Sequence, residues 1–373
     1  MITSKINKFL IVGGFPPKTR KIFGGIVKSS SILVESKYFS KFEISKFDSS
    51  QISNPPPSFL IRLILAIIRL IKFIFRIIYF KPKSVLIFCS DGGSSIEKGI
   101  MILICDLFKI KSLIFPRAGN LIIQTQKNKI MLLIIKLLFG KASVFLCQGE
   151  KWKEFAIHKL KINKKNISII NNWTATDELI EIGENRIMKD KTVGLKILFV
   201  GWLEKEKGII ELLDVFRNLH DQKYNIHLSL IGDGSLKIYS EKFIKKNKLS
   251  DFISIKGWLN TNDINNYLKE SDIFVLPSWQ EGMPNALIEA ISSGLPSVVS
   301  SVGVIPDYFT NNKNILLTEP KNRNNLQNSI EKLINDIKLR KKLSENGIMI
   351  AKKFFSSEVS LKKLSKRIEE LVY

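Results

Sequence analysis

The sequence predicts an α/β protein of two Rossmann-like domains facing a cleft. Three observations lead there. Short apolar runs of strand length alternate with helical patterns along the whole chain, the arrangement of parallel sheets wrapped by helices. The chain has 373 residues, 45% hydrophobic and 25% charged, enough for two full cores. A polar stretch of mixed charge, residues 174–193, separates two such series and reads as the interdomain connection. We place the first domain at 1–173 with a closing helix in 354–373, and the second at 194–353.

In the first series, Phe9 to Val12 is a strand broken by Gly13-Gly14-Phe15-Pro16-Pro17. Gly24-Gly25 opens a helix to about Phe39. Strand, glycine loop and helix N-terminus make a cradle for a phosphate or a sugar. The spacing is not G-x-G-x-x-G, so a dinucleotide fingerprint is not supported. Asn54-Pro55-Pro56-Pro57 is a stiff stop. Residues 59–80, FLIRLILAIIRLIKFIFRIIYF, carry four cations and no acid. At about 100° per residue, Arg62, Arg69, Lys72 and Arg76 form one narrow basic stripe on an otherwise apolar helix. Val85 to Cys89 is a strand, Asp91-Gly92-Gly93-Ser94-Ser95 its loop, and a helix runs on to about Phe108. The strand at Leu113 to Pro116 leads into Arg117-Ala118-Gly119-Asn120. Ile130 to Leu138 is a second very apolar helix. Val144 to Cys147 and Ile167 to Ile170 complete the strands.

In the second series, Leu195 to Val200 runs into Gly201-Trp202-Leu203-Glu204-Lys205-Glu206-Lys207-Gly208, then a helix with Ile209, Leu212, Leu213 and Phe216. Ile226 to Ile231 is a strand on which His227 reads as a core histidine. Ile253 to Gly257 ends at Trp258-Leu259. Ile273 to Leu276 is closed by Pro277. Pro284 suits the first position of the next helix, where a missing N–H costs nothing. Leu287, Ile288 and Ile291 keep helical spacing, and Gly294 and Pro296 stop it. Ser297 to Ser300 follows as a strand. The loop after a strand of a parallel sheet lies on the ligand side. Glu281 sits in that loop and Glu289 on the helix, and the amides of Asn285, Ala286 and Leu287 offer an anion site. An edge strand at 315–317, helices at 325–333 and 337–352, and an amphipathic helix at 361–372 close the chain.

Pro277, Ser278, Glu281, Gly282, Glu289, Ala290, Gly294 and Pro296 fall in the order found in glycosyltransferase family 4, retaining enzymes of GT-B fold. Seven residues separate Glu281 from Glu289, as in that family's pair of glutamates. The stretch resembles the family clearly over 195–320, and over 1–173 only in strand order and glycines. The resemblance implies that Glu281 lies by the donor sugar and that Glu289 bonds the nucleotide ribose. It also implies that Gly282, Met283, Pro284, Asn285, Ala286 and Leu287 line the donor between them. It implies that Gly24 and Gly25 approach the donor diphosphate. Lys207 matches the lysine of the loop that begins at Gly201, while Trp202 stands where the family has arginine. Backbone near Trp258 and Leu259 is expected to read the nucleobase. Many members carry a histidine near residue 117, but the histidines here are His158, His220 and His227, so Arg117 is expected to serve electrostatically instead.

The implied reaction moves a sugar from a nucleoside diphosphate sugar to an acceptor hydroxyl with retention. The nucleotide sugar is a co-substrate, and no further cofactor is expected. No Asp-x-Asp occurs in the chain, so we expect no metal and assign neutralisation to Lys207 and helix N-termini. A lipid-linked glycan of a surface polysaccharide is the expected acceptor.

Charge adds a second line. The net charge is +24; residues 1–173 hold 29 Lys/Arg and 8 Asp/Glu, a net +21, and the remainder is nearly balanced. Such asymmetry points to a polyanion facing one domain. A nucleic-acid binder would interleave cations with exposed aromatics or present a recognition helix, and would leave Glu281 and Glu289 idle. We therefore expect no nucleic acid. The alternative reading is a basic nucleic-acid- or membrane-binding protein on a non-catalytic GT-B fold. The 59–80 helix has the ~20 residues of a bilayer span. It cannot cross, because the strands before and after it are expected in one sheet. Two readings remain, a core helix covering the sheet, which needs only one apolar stripe, or a helix lying flat on an anionic membrane, apolar surface in the acyl boundary and cations on headgroups; the excess apolar surface favours the second. Cys89, Cys105 and Cys147 lie on apolar runs without metal-like spacing and read as reduced core residues. The apolar run at Phe9 is too short for a signal peptide. A cytoplasmic protein, peripheral on the cytoplasmic face of the plasma membrane, is expected.

Overall fold

The computed structural model describes residues 7–17, 24–53, 57–188 and 194–372. It divides into two compact units, residues 1–173 with 358–373, and residues 174–357.

The first unit is a six-stranded parallel sheet in the order β2-β1-β3-β4-β5-β6. Its strands are β1 (Asn7–Gly13), β2 (Phe42–Asp48), β3 (Ser84–Cys89), β4 (Lys111–Pro116), β5 (Val144–Cys147) and β6 (Ile167–Ile169). Helices α1 (Gly25–Glu35), α2 (Phe59–Phe80), α3 (Gly93–Leu107), α4 (Asn120–Lys127), α5 (Lys129–Phe139) and α6 (Glu150–His158) wrap it. The central strands are apolar on both faces, as parallel strands covered by helices must be. Phe9, Leu86, Phe88, Phe115 and Trp173 share one core. The final helix, Ser357–Val372, places Leu361, Leu364 and Ile368 in that same core. The three cysteines are free and buried.

Strand β2 was not expected from the sequence. Its residues FEISKFD mix buried and exposed positions without strict alternation, and the charged Glu43 and Lys46 are exposed, as suits an edge. It also fixes α2: the chain enters α2 from β2 and leaves it into β3, and both strands pair with β1.

Only Phe73 and Ile77 of α2 are fully buried. The rest of its attachment is polar. Arg69 donates two hydrogen bonds to Glu97, Nε to Oε1 at 2.7 Å and Nη2 to Oε2 at 2.8 Å. Lys98 Nζ lies 3.3 Å from Glu97 Oε1, and Lys98 and Glu97 are 3% and 6% exposed. Arg76 donates to Ser45 Oγ at 3.0 Å. Two of the four cations expected to face headgroups are thus turned onto the protein. Periodicity gives their common side but not which way that side points.

The second unit is a six-stranded parallel sheet in the order β12-β11-β10-β7-β8-β9. Its strands are β7 (Leu195–Val200), β8 (Ile226–Ile231), β9 (Ile253–Gly257), β10 (Ile273–Leu276), β11 (Ser297–Ser300) and β12 (Leu316–Thr318). Helices α7 (Asp177–Glu184), α8 (Ile209–Asp221), α9 (Lys237–Lys246), α10 (Thr261–Glu270), α11 (Asn285–Ser292), α12 (Ile305–Tyr308), α13 (Arg323–Asn335) and α14 (Ile337–Ile350) surround it. His227 is exposed against the Phe252 ring rather than in the core. The described part of the expected connection, 174–188, belongs to this unit. Thr176 caps α7 by accepting from the Leu179 N–H. Arg186 donates to the carbonyls of Ser293, Ser271 and Leu268, satisfying groups at the ends of α11 and α10. Burial lowers the Arg186 pKa to about 10. Residues 189–193 lie outside the described residues.

Glu97 sets the first test. Burial alone would raise its pKa, but the hydrogen bonds and charges of Arg69 and Lys98 outweigh it and hold the carboxyl below the usual range. Its contribution is therefore complete at neutral pH and is lost as pH falls through that lowered value. Glu97→Gln leaves two cations without a counter-charge and should cost about 3–5 kcal/mol at neutral pH. Urea midpoints should show that gap narrowing toward acid. A midpoint equal to that of the wild type at pH 7 would show that the triad does not hold α2.

Candidate functional site

In the second sheet β7 and β10 are neighbours, yet the chain leaves them in opposite directions. From β7 it proceeds to β8 and β9 on one side, and from β10 to β11 and β12 on the other. Ligands of open parallel sheets bind outside the carboxyl ends of strands at such a switch point. Both loops bordering it carry predicted site residues.

The β7 loop ends in a 3₁₀ turn, Lys205–Lys207, and then Gly208. The β10 loop runs from Pro277 to Pro284. Lys207 Nζ donates to Glu281 Oε1 at 2.6 Å, and Ser278 Oγ donates to the same oxygen at 2.8 Å. The Glu281 side chain is 9% exposed and that of Lys207 26%, so little water screens the pair. The Trp279 N–H donates to the Glu206 carbonyl at 2.8 Å, tying one loop to the other. Lys205 and Lys321 lie 5.6 and 4.3 Å from the centre of the Trp279 ring.

Two glycines permit this closeness. Gly208 has φ +71°, and a Cβ there would stand 2.1 Å from the Pro277 carbonyl oxygen. Gly303, after β11, has φ +62°, and its Cβ would stand 2.2 Å from the Glu281 carbonyl oxygen. The Val304 N–H then donates to the Gly282 carbonyl at 3.2 Å. Loops after three strands are thus locked around Glu281. Ser278 and Gly303 were missed as parts of the site; neither contact can be read from spacing.

Helix α11 starts beside this lock. Pro284 is its N-cap and not its first helical residue. No side chain caps the helix, whose first turn is Asn285, Ala286 and Leu287. Gly282 and Met283 are buried in the preceding loop, and Glu289 in the second turn is 4% exposed. Gly201 follows β7, and its N–H donates to the Ile231 carbonyl at 2.9 Å. Trp202 meets Trp258 edge to face, ring centres 4.8 Å apart at 77°. The pair forms a half-buried aromatic wall across the ends of β7 and β9, with Leu259 next to it.

The remaining candidates lie in the first unit. Its own switch point falls between β1 and β3. Gly24 is the N-cap of α1 and Gly25 its first residue, again with no side-chain cap. Arg117, after β4, donates from Nη2 to Ser29 Oγ at 3.0 Å. Its guanidinium lies 4.9 Å from the centre of the Phe115 ring and 5.3 Å from that of Trp173. Trp173 Nε1 donates to the Ser29 carbonyl at 2.9 Å. Arg117 and Trp173 therefore brace α1 against β4, and burial lowers the Arg117 pKa. Asp91, after β3, accepts from Asn120, and Gln124 accepts from the Gly92 N–H at 3.0 Å. Among the described residues no group of three or more His, Cys, Asp or Glu side chains is placed to hold a metal.

Two doubly wound parallel units in one chain are the GT-B fold. Sucrose-phosphate synthase from Thermosynechococcus elongatus superposes with TM-score 0.80 at 16% identity, covering 98% of this chain and 99% of that one. Anabaena HepE in complex with UDP and glucose gives 0.72 at 14% identity over 98% and 100%. These likenesses establish the fold. Residues 184–349, within the second unit, match the family model of the glycosyl transferases group 1. An uncharacterized glycosyltransferase of Methanocaldococcus jannaschii is 33% identical over 174 residues, 47% of this chain and 48% of that protein. Another from the same organism is 27% identical over 386 residues, 89% of this chain and 92% of the other. The UDP-Gal:alpha-D-GlcNAc-diphosphoundecaprenol alpha-1,3-galactosyltransferase of Escherichia coli is 33% identical over 171 residues, 42% of each chain. The first and last of these alignments span about half or less of the relative's length.

The glycine lock gives a stability test. Gly208→Ala and Gly303→Ala should each cost on the order of 1–3 kcal/mol or more, from positive φ and carbonyl contact together. Gly93→Ala, where a Cβ meets nothing within 4 Å, should be neutral. Urea midpoints that rank all three alike would show that the loops do not need this approach.

Proposed function

We propose that the protein transfers a sugar from a nucleoside diphosphate sugar to an acceptor hydroxyl, with retention and without a metal. The observation that carries this reading is the Lys207–Glu281 pair at the β7/β10 switch point, beside the uncapped N-terminus of α11. Bond breaking at the anomeric carbon leaves negative charge on the diphosphate. Lys207 and the first-turn amides of α11 supply positive potential for it. Glu281 provides the opposite sign for the developing positive charge on the sugar. Glu289 takes the ribose, and the Trp202–Trp258 wall takes the base.

A nucleotide donor is supported by the UDP held in HepE, a protein of the same fold. A lipid-linked glycan acceptor, in surface polysaccharide synthesis at the cytoplasmic face of the plasma membrane, is supported by the Escherichia coli relative, whose acceptor is named as a diphosphoundecaprenol-linked GlcNAc.

The test is mass spectrometry of products from a panel of nucleotide sugars with lipid extract. Lys207→Ala and Glu281→Ala should each reduce turnover at least ~10²-fold, the scale of one preorganised electrostatic contact, measured below the melting temperature of each variant so that loss of stability is separated from loss of rate. The double variant should be little worse than either single one, because each side chain positions the other. Turnover of wild-type rate in either single variant removes that residue from the mechanism. EDTA should leave the rate unchanged; loss in EDTA restored by Mg²⁺ or Mn²⁺ would mean that a metal manages the leaving group.

A further inference from the structure

Apolar side chains are exposed very unevenly. Among the described residues, 17 of the 23 exposed large hydrophobics lie on α2, on α3 with its C-cap Phe108, and on α5. Of the remainder Ile52 lines a groove beside α2, Ile238 and Tyr239 are neighbours on α9, and the others stand alone, which is ordinary. On α2 alone eleven are exposed, among them Ile64 at 57%, Phe75 at 54% and Tyr79 at 80%. Helix α2 packs on α3 and α3 on α5, so Leu103, Leu107, Leu133 and Leu137 extend the same apolar face. A patch of this kind marks a binding surface.

The helical wheel of α2 shows how the face is built. With Arg62 at 0°, the buried Phe73 and Ile77 fall at about 20° and 60°. The cations fall from about −80° to 0°, and most of the exposed apolar side chains between about 100° and 260°. The helix thus stands on a narrow edge with its broad apolar arc outward. On its cationic side, between α2 and β2, is a groove of about 850 Å³ lined by Lys46, Arg69, Lys72 and Arg76 with Phe75 and Tyr79. Glu97 holds Arg69, and Ser45 takes a hydrogen bond from Arg76. Among the described residues Lys72, and Lys46 whose Nζ lies 5.9 Å from the centre of the Phe15 ring, have no carboxylate ion pair and offer their charge to an anion. The carboxylate lining the groove, Asp48, accepts from the N–H groups of Phe15 and Ser50.

We infer that the outer face of α2, α3 and α5 docks on an anionic phospholipid bilayer, with a lipid headgroup phosphate in the groove beside Lys46 and Lys72. Charge selects this occupant. A second copy of the chain would bring one basic groove against another in a half that carries +21. An anionic bilayer complements both the arc and the groove. Crossing is ruled out by topology, because β2 and β3 flank β1 in one sheet and both ends of α2 must lie on the same side. Among the described residues no helix is long and apolar enough to span. The inference deepens the membrane part of the reading above but does not depend on the chemistry, since vesicle binding is measured without turnover.

The experiment is flotation with vesicles of phosphatidylcholine alone or mixed with phosphatidylglycerol. Wild-type protein should float with the mixed vesicles and much less with phosphatidylcholine alone. Ile67→Ser/Ile71→Ser/Ile78→Ser, changes confined to exposed side chains, should weaken binding to the mixed vesicles at least tenfold with an unchanged melting temperature. Lys46→Glu/Lys72→Glu should remove the preference for phosphatidylglycerol, by at least about tenfold. High salt should weaken wild-type binding without abolishing it. The inference fails if wild-type protein stays soluble with both vesicles. It fails if the triple Ser variant instead abolishes a dimer seen by sedimentation while vesicles are ignored. It fails also if inorganic phosphate raises the melting temperature in a Lys72-dependent way and vesicles do not bind, which makes the groove a site for free anions.

Discussion

Lys207 and Glu281 stand 74 residues apart in sequence and 2.6 Å apart in space. Everything around the candidate site follows from bringing them together and keeping water away. Pairing of β7 with β10 puts their loops side by side. Gly208 and Gly303 remove the Cβ atoms that would hold those loops apart, and Ser278 gives Glu281 a second donor. A carboxylate this enclosed would be expensive without partners, and a lysine reaching into the same space would be too. Together they satisfy each other, so the sheet topology and the two glycines matter to the site as much as the charged groups themselves.

A second buried charge cluster does different work in the first unit. Arg69, Glu97 and Lys98 fasten α2, a helix with only two fully buried apolar side chains. Apolar packing alone would roll such a helix until its widest apolar arc faced the sheet. The ion cluster, with Arg76 on Ser45, holds the opposite rotation. Apolar surface is left outward at a cost in solvation that a soluble protein has no reason to bear, which is why this face reads as a docking surface.

Most strands of this fold were legible as apolar runs. Those at 195–200, 226–231, 253–257, 273–276 and 297–300 begin and end where the sequence places them. What was missed is polar. Strand β2 mixes charged with apolar residues, and α9, KIYSEKFIKK, and α10, TNDINNYLKE, hide their short buried stripes among polar side chains. Local chemistry was also legible in the site: the two glutamates, the lysine and the helix start all lie in stretches whose order carries information. Non-local contacts were not. Nothing near Gly303 says that it presses on Glu281, and nothing near Trp202 says that its ring meets Trp258. The basic stripe of α2 was visible as a stripe, but its direction depended on Glu97, in another helix.

The tryptophan at 202 changes how a site of this kind can act. Without an arginine there, the proposed chemistry cannot rely on a bidentate grip on the diphosphate. What remains is an ion pair of both signs and the amides of one helix end. Such a set binds a neutral or anionic ground state weakly, because Glu281 offsets much of the attraction of Lys207. It gains strength only as charge separates, with positive charge growing on the sugar and negative charge on the leaving group. The pair then answers each sign with its opposite, in a place where screening is small and no reorientation is needed. A preformed Lys–Glu pair is therefore better matched to the transition state of glycosyl transfer than to its substrates. Its enclosure by Gly208, Gly303 and Trp279 serves to keep it in that form.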